Sequence, residues 1–172
     1  MHTTFLSIGS NIGNGVDNIR KALDLIGRHE KIKIVKMSHL YKTEPWGNTE
    51  QAWFVNCIAK VETSLPVEIF FEQLKKVEAG LGRKHVPESL NQGKNKRYAP
   101  RLIDIDILFF GDTIVNYDAL IIPHPLLHER AFVLIPFLDI DPLFVHPVLN
   151  RSISEMISGL KDKKKVLRFE DT

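Results

Sequence analysis

Apolar residues change their spacing along this chain in a way that marks out strands and helices. Residues 3–9, with Phe5, Leu6 and Ile8 among them, read as a strand that ends at Gly9. Val16, Ile19, Leu23 and Ile26 then recur at intervals of three and four up to Gly27, which predicts a helix with one buried stripe. Residues 32–43 read as a second strand. A loop from Thr43 to Gln51, containing Pro45 and Gly47, leads to a third strand at 53–63. There Trp53, Val55, Cys57, Ala59 and Val61 share one face, which turns Phe54 and Asn56 to the other. Ser64 stands where a helix cap would, Pro66 suits a first turn, and Phe70, Leu74, Val77 and Leu81 form a second helical stripe that Gly80 and Gly82 break.

A polar, basic stretch comes next, and then a strand at 102–110. The order strand, helix, strand, strand, helix, strand is the split βαβ arrangement. The fold class expected is therefore α+β, a ferredoxin-like βαββαβ sandwich: a four-stranded antiparallel sheet with both helices on one face. Gly111-Asp112 reads as a tight turn into a short strand at 113–116, so that a hairpin extends the sheet. Residues 126–139 look helical, with Pro136 predicting a kink or break, and Ser152 is placed to cap a short last helix through Ile157. Residues 1–172 are expected to form one domain, a size that needs no covalent staples.

Composition narrows the class. Hydrophobic content of 44% with 26% charged residues is ordinary for a globular protein. The single Cys57 excludes an intrachain disulfide and a cysteine-based zinc site, and suits a reducing compartment. No apolar run has the length of a membrane span and the first residues do not read as a secretion signal, so a cytoplasmic protein without a membrane partner is expected. A net charge of +2 is too small to argue for wholesale nucleic-acid binding. The positive charge is uneven, however. Lys161, Lys163, Lys164, Lys165 and Arg168 read as a solvated tail, whereas Arg83, Lys84, Lys94, Lys96, Arg97 and Arg101 stand against one acid, Glu88.

The basic cluster at 83–101 matters because it leads directly into a pair of acids. In the run Arg101-Leu102-Ile103-Asp104-Ile105-Asp106-Ile107, strand alternation puts Asp104 and Asp106 on one face and the three isoleucines on the other. The two carboxylates are then roughly 6.5–7 Å apart, close enough to hold a pair of Mg²⁺ ions on a polyphosphate. The other residues of that face, Leu102, Leu108 and Phe110, are apolar, so this is not a simple solvent row. Acids for a metal beside arginines for phosphate oxygens suit phosphoryl chemistry.

Taken in order, Gly9-Ser10-Asn11, Pro100-Arg101-x-x-Asp104-x-Asp106-x-x-x-Phe110-Gly111, and Pro123-His124-Pro125 followed by Arg130-x-Phe132 closely resemble the 6-hydroxymethyl-7,8-dihydropterin pyrophosphokinase family of the folate pathway. The likeness runs from about Phe5 to Pro147. It implies transfer of a pyrophosphoryl unit from ATP, with two Mg²⁺ ions held by Asp104 and Asp106, to the hydroxymethyl oxygen of 6-hydroxymethyl-7,8-dihydropterin. It also implies that Phe54 and Phe132 stack on the two faces of the pterin while Asn56 hydrogen-bonds its edge, with Thr43 and Trp46 completing that pocket. Arg83, Arg97 and Arg101 match residues acting on the transferred phosphates. Glu78, Tyr98, Arg101, Ile107, His124 and Arg130 match positions around the nucleotide. The partners expected are the two substrates and no nucleic acid, with a monomer, at most a weak homodimer, as the assembly.

The residues alone support parts of this. An amide offers both donor and acceptor to a pterin edge, and a guanidinium stays charged and meets phosphate bidentately. Prolines on both sides stiffen the backbone at His124. Neither G-x-x-x-x-G-K-[ST] nor a strand followed by G-x-G-x-x-G occurs, so side chains and metal must hold the nucleotide. The loop from His85 to Lys96 is expected to close over bound substrates. Two other classes compete. An RNA-binding module of the same fold would use an open sheet face, but the RNP1 pattern is absent and the acid pair would repel a phosphate backbone. A metal-dependent phosphoester hydrolase would use the same two acids.

Overall fold

The computed structural model describes residues 1–46, 50–82, 100–117 and 119–169. Its centre is β1 (His2–Ser10), a strand buried on both faces, with Leu6 and Ile8 in one apolar core and Phe5 in another. β1 pairs antiparallel with β4 (Phe54–Thr63) on one side and β5 (Asp104–Phe110) on the other. Beyond β4 lie two short strands, β2 (Ile32–Met37) and β3 (Tyr41–Thr43), both paired to it. The predicted strand over 32–43 is thus two pieces. Between them the Ser38 N–H donates to Ile58 O at 2.9 Å and the Ser38 hydroxyl accepts the Ile58 N–H at 2.9 Å, so a side chain replaces one rung of the ladder.

Both predicted long helices cover the same face. α1 (Gly15–Gly27) starts at Asn14, whose side chain accepts the Asp17 N–H, and buries Ile19, Ala22 and Ile26. α2 (Val67–Gly80) buries Phe70 and Leu74. Ser64 is not its cap: the helix begins after Pro66, and the nearby hydroxyl that accepts a backbone N–H, from Leu65, belongs to Thr63. These stripes pack on Cys57, Ala59, Val61, Ile103, Ile105 and Ile107, the face that strand alternation assigned to a core.

The opposite face is not open along its length. α3 (Ala131–Phe137) and α4 (Ile153–Ser158, capped by Ser152 as predicted) lay Leu134, Phe137, Ile153 and Met156 over Phe5, Ile58, Leu108 and Phe109. A bulge in the β1–β5 pairing permits this. Leu6 faces Ile107 and Phe5 faces Phe109, which leaves Leu108 as the extra residue. Leu108 and Phe109 therefore both enter the second core, while Phe110 turns into the first and leaves the face on which alternation had placed it. Pro136 sits inside α3; the break in the predicted helix falls earlier, at Arg130, after a 3-10 turn over Leu127–Glu129.

Two expectations at the edges are corrected. β6 (Val115–Tyr117) and β7 (Leu120–Ile122) make a separate two-stranded hairpin that does not extend the main sheet. Its Val115, Leu120 and Ile122 are drawn instead onto the helix-covered core. The strand that does extend the sheet is β8 (Val166–Arg168), from the segment read as a solvated tail, and it pairs antiparallel with β3. The sheet order is β5-β1-β4-β3-β8, with β2 beside β4 as well. Replacing Phe109 with alanine, which removes ring contacts to Phe5, Phe137 and Phe144, is expected to cost about 3–5 kcal/mol of stability. Urea unfolding at an unchanged m-value would show it; a loss below about 1 kcal/mol would contradict this packing of the second face.

Candidate active site

The second face stays uncovered only at the end where β1, β4 and β5 carry small or polar residues. In register across three strands, Asn56 of β4 faces Gly9 of β1, and Gly9 faces Asp104 of β5. Two residues along, Ser7 faces Asp106. Asp104, Asp106, Ser7, Gly9, Phe54 and Asn56 all line one cavity of about 270 Å³. Gly9 is what allows the row to lie flat, because a Cβ there would come within 2.4 Å of the Asn56 side-chain oxygen. Asn56 is 4% exposed and donates from Nδ2 to Thr43 Oγ1 at 2.6 Å. The buried amide therefore has a fixed orientation beside the acids.

The remaining walls come from three connections. Arg101, at the entry to β5, pairs through Nη1 with Asp104 Oδ2. From β5 the chain runs through the β6–β7 hairpin and a cis Ile122–Pro123 peptide to His124, whose N–H returns to Leu108 O at 3.0 Å. That places His124 Nε2 4.0 Å from Asp106 Oδ2. His124 Nδ1 accepts the Leu126 N–H at 3.2 Å, so in the neutral ring the proton is assigned to Nε2, facing the acid. At the mouth, the Arg130 guanidinium lies over Trp46 at 4.9 Å and over Phe132 at 5.5 Å, joining the loop after β3 to the start of α3.

The electrostatics of the pair are asymmetric. Part of the Asp106 side chain, 37%, is open to the cavity, but protein surrounds it on its other sides. Burial first, and the neighbouring Asp104 charge second, push its pKa up to about 6, against the pull of Lys75, Arg101 and Arg130. Among the described residues no group of three or more His, Cys, Asp or Glu gathers into a protein-only metal cage. Two hard carboxylates sharing one wall, one of them held against its own ionisation, instead fit a divalent cation that takes its other ligands from phosphate and water.

Of the residues named from sequence, Trp46, Phe54, Asn56, Arg101, Asp104, Asp106, His124, Arg130 and Phe132 line this single cavity. Thr43 stands behind Asn56. Ile107 does not line it; its side chain belongs to the helix-covered core. Nor does Glu78, which is 2% exposed, accepts the Ile105 N–H at 2.7 Å and pairs with Lys75 at 3.0 Å. Glu78 thereby holds the residue between the two acids. Arg83, Arg97 and Tyr98, and the loop from His85 to Lys96, lie outside the described residues.

The structure adds Ser7, Glu44 and Gln51 to the lining. Ser7 carried a signal, as a hydroxyl between Leu6 and Ile8 and two residues from Gly9; Glu44 and Gln51 lie in a loop without periodicity. Asn11 acts behind the wall. Its Oδ1 accepts the Arg101 N–H at 2.7 Å, its N–H donates to Arg101 O at 3.0 Å, and its Nδ2 donates to Gln51 Oε1 at 3.0 Å. The turn containing it was legible, but a partner 90 residues away was not.

Asp106 carries a testable stability cost. Its folded pKa near 6 exceeds the ordinary carboxylate value of about 4, so the folded state binds the proton more tightly than the unfolded one. The contribution of Asp106 to stability is then greatest below about pH 4, falls between about pH 4 and 6, and remains lower above. Asp106→Asn removes this loss. Its melting temperature in chelator should exceed that of the unsubstituted protein by more near pH 7.5 than near pH 4, and an equal difference at both would refute the carboxylate's raised pKa.

Known proteins resemble this chain throughout its length. The family model of 7,8-dihydro-6-hydroxymethylpterin-pyrophosphokinase (HPPK) matches residues 5–142. The 2-amino-4-hydroxy-6-hydroxymethyldihydropteridine pyrophosphokinase of Aquifex aeolicus is 35% identical over 155 residues, covering 90% of each chain. The folic acid synthesis protein fol1 of Pneumocystis carinii is 40% identical over 167 residues, 96% of this chain, which spans 21% of that longer protein. A solved HPPK-DHPS structure in complex with substrates shares the fold at a TM-score of 0.67 and 16% identity, covering 92% of this chain and 43% of the other. Matched from residue 5 to residue 142, and alike over nine-tenths of both chains to the Aquifex protein, this chain belongs to the 7,8-dihydro-6-hydroxymethylpterin-pyrophosphokinase family.

Proposed function

We propose that the chain transfers the pyrophosphoryl group of MgATP to the hydroxymethyl oxygen of 6-hydroxymethyl-7,8-dihydropterin, giving AMP and the pterin diphosphate. One observation carries the reading. The acid pair of β5 and the Phe54–Asn56 pair of β4 face the same cavity with only Gly9 and Ser7 of β1 between them. A flat heterocycle lying against Phe54 would meet the Asn56 amide at its edge and direct its substituent across Gly9 toward Asp104 and Asp106. Phe132, which lines the same cavity, is the second ring of the proposed stack. Thr43 sets which end of the Asn56 amide is presented, since Nδ2 is engaged by its hydroxyl.

In the reaction the hydroxymethyl oxygen attacks the β-phosphorus and its proton passes to solvent, the bond from that phosphorus to the α,β-bridging oxygen breaks, and AMP leaves with the oxygen. Asp104 and Asp106 would hold Mg²⁺, and two ions are the stoichiometry we infer from the two carboxylates. When bound, the metal neutralises phosphate charge and lowers the pKa of a coordinated hydroxyl. The chain's own cations do the rest. Arg101 and Arg130 both line the cavity, where guanidinium groups can take phosphate oxygens. His124, aimed by its bonds to Leu108 and Leu126, presents an N–H toward the same region. Arg83, Arg97 and Tyr98 are proposed to join them from the neighbouring segment. No side chain is assigned as a dedicated general base; positioning and charge neutralisation supply the acceleration.

Residues 1–172 are taken as one catalytic unit acting as a monomer in the cytoplasm. Its single cysteine is buried, and among the described residues no helix is long and apolar enough to cross a membrane. The deciding experiment is mass-spectrometric product analysis after mixing protein, ATP, Mg²⁺ and the dihydropterin. AMP with a pterin diphosphate is expected, and Asp106→Ala should reduce the rate on the order of 10²-fold or more. ADP with a pterin monophosphate would exclude pyrophosphoryl transfer. Gly9→Ala, which displaces the Asn56 amide, should raise KM for the pterin about tenfold with a smaller effect on KM for ATP; equal changes in the two constants would count against the pterin's place beside β4.

A further inference from the structure

Arg130 occupies a position that ordinarily belongs to a different kind of residue. It is the residue before α3, in extended conformation, where a side-chain acceptor would satisfy the first N–H groups of the helix, yet it makes no side-chain cap. Its guanidinium is used elsewhere, over Trp46 and Phe132. The acceptor arrives from 31 residues away. Asp162 Oδ2 accepts the Ala131 N–H at 2.9 Å. That N–H belongs to the peptide joining Arg130 to Ala131, so fixing it fixes the plane from which Arg130 departs and on which Phe132 follows.

The other oxygen of the same carboxylate serves the other wall. Asp162 Oδ1 accepts the Lys164 N–H at 3.0 Å, an Asx turn that redirects the chain into β8. The next residue, Lys165, donates its N–H to Glu44 Oε2 at 2.8 Å and accepts the Glu44 N–H on its carbonyl at 3.0 Å. Val166 then pairs with Thr43. Glu44 lines the cavity, and two residues beyond it stands Trp46, whose ring the Arg130 guanidinium covers. The contacts close a circle, from Arg130 through Ala131, Asp162, Lys164, Lys165 and Glu44 to Trp46 and back.

We infer that Asp162 is a positioning residue for the aromatic mouth of the cavity, holding the Arg130–Phe132 wall and the Glu44–Trp46 wall in one geometry through its two carboxylate oxygens. In a run of lysines, Lys161-Asp162-Lys163-Lys164-Lys165, it is the one residue able to accept two backbone N–H groups. The segment is therefore a brace rather than a tail. This role deepens the proposed pyrophosphoryl transfer and rests on it for the identity of the ligand at the mouth.

The test uses the intact chain with Asp162→Ala, Asp162→Asn and Lys163→Ala, read by steady-state kinetics and by amide hydrogen exchange over residues 130–134 without substrates. Asp162→Ala is expected to raise KM for the dihydropterin about tenfold, the scale of one lost cap, with kcat changed less than about twofold and KM for ATP less than about threefold, and to speed exchange at Ala131. Asp162→Asn, which keeps a single acceptor, should fall between, and Lys163→Ala should match the unsubstituted chain. An unchanged pterin KM, or equal changes in all three constants as general loosening would give, overturns the inference. If the unsubstituted chain does not turn over the pterin, the proposed reaction fails instead, and exchange at Ala131 alone decides: faster in Asp162→Ala supports the brace, unchanged refutes it.

Discussion

Two like charges held one strand repeat apart, at the border of an apolar core, are the constraint on which most of this structure depends. Desolvation and mutual repulsion oppose the pair, as the raised pKa of Asp106 records. The strand carrying them must therefore be fixed by contacts made elsewhere. Ile103, Ile105 and Ile107 anchor it in the helix-covered core, β1 pairs along it, and Glu78 takes the Ile105 N–H from the side that no strand among the described residues covers. Arg101 neutralises Asp104 from the strand's own entry. Removing any one of these would let the carboxylates separate, which is the relaxation that a metal-binding pair has to resist.

The same constraint explains why the second face of the sheet is half covered. A ligand needs the three-strand row of Asn56, Gly9 and Asp104 uncovered, while a sheet exposed along its whole length would leave Phe5, Ile58 and Phe109 in water. The bulge at Leu108 divides the face between these demands. Before it, the outward positions of β5 are acidic; after it, Leu108 and Phe109 both turn under α3 and α4. The helices that complete the second core also bring Arg130 and Phe132 to the rim of the uncovered part, so packing and site construction are one arrangement.

A good share of this was legible in the residues. The alternation in β4 and β5 assigned Phe54, Asn56, Asp104 and Asp106 to one face and their neighbours to a core, and the helical stripes of α1 and α2 located that core's cover. Glu78 shows where such reading stops. It lies beside the apolar stripe of α2 rather than in it, yet it is buried and accepts a backbone N–H from a strand 27 residues later. The side chain of Ile107, a residue matched by position to the nucleotide, lies in the helix-covered core. The segment at 161–168 was read by charge alone, although Asp162 within it has partners on two walls of the cavity.

Local order in the chain determined which residues share a face, because the two-residue period of a strand and the 3.6-residue period of a helix are set by the backbone and need no partner. It also determined the acid pair and the absence of a glycine-rich phosphate loop. Only tertiary structure decided which strand faces which, where the bulge falls, that the β6–β7 hairpin stays apart from the sheet, and that Asn11 and Asp162 reach across to hold Arg101 and Ala131. Each of those depends on a hydrogen bond or a packed surface between residues distant in sequence, and such a partner leaves no periodic mark on the residues around it.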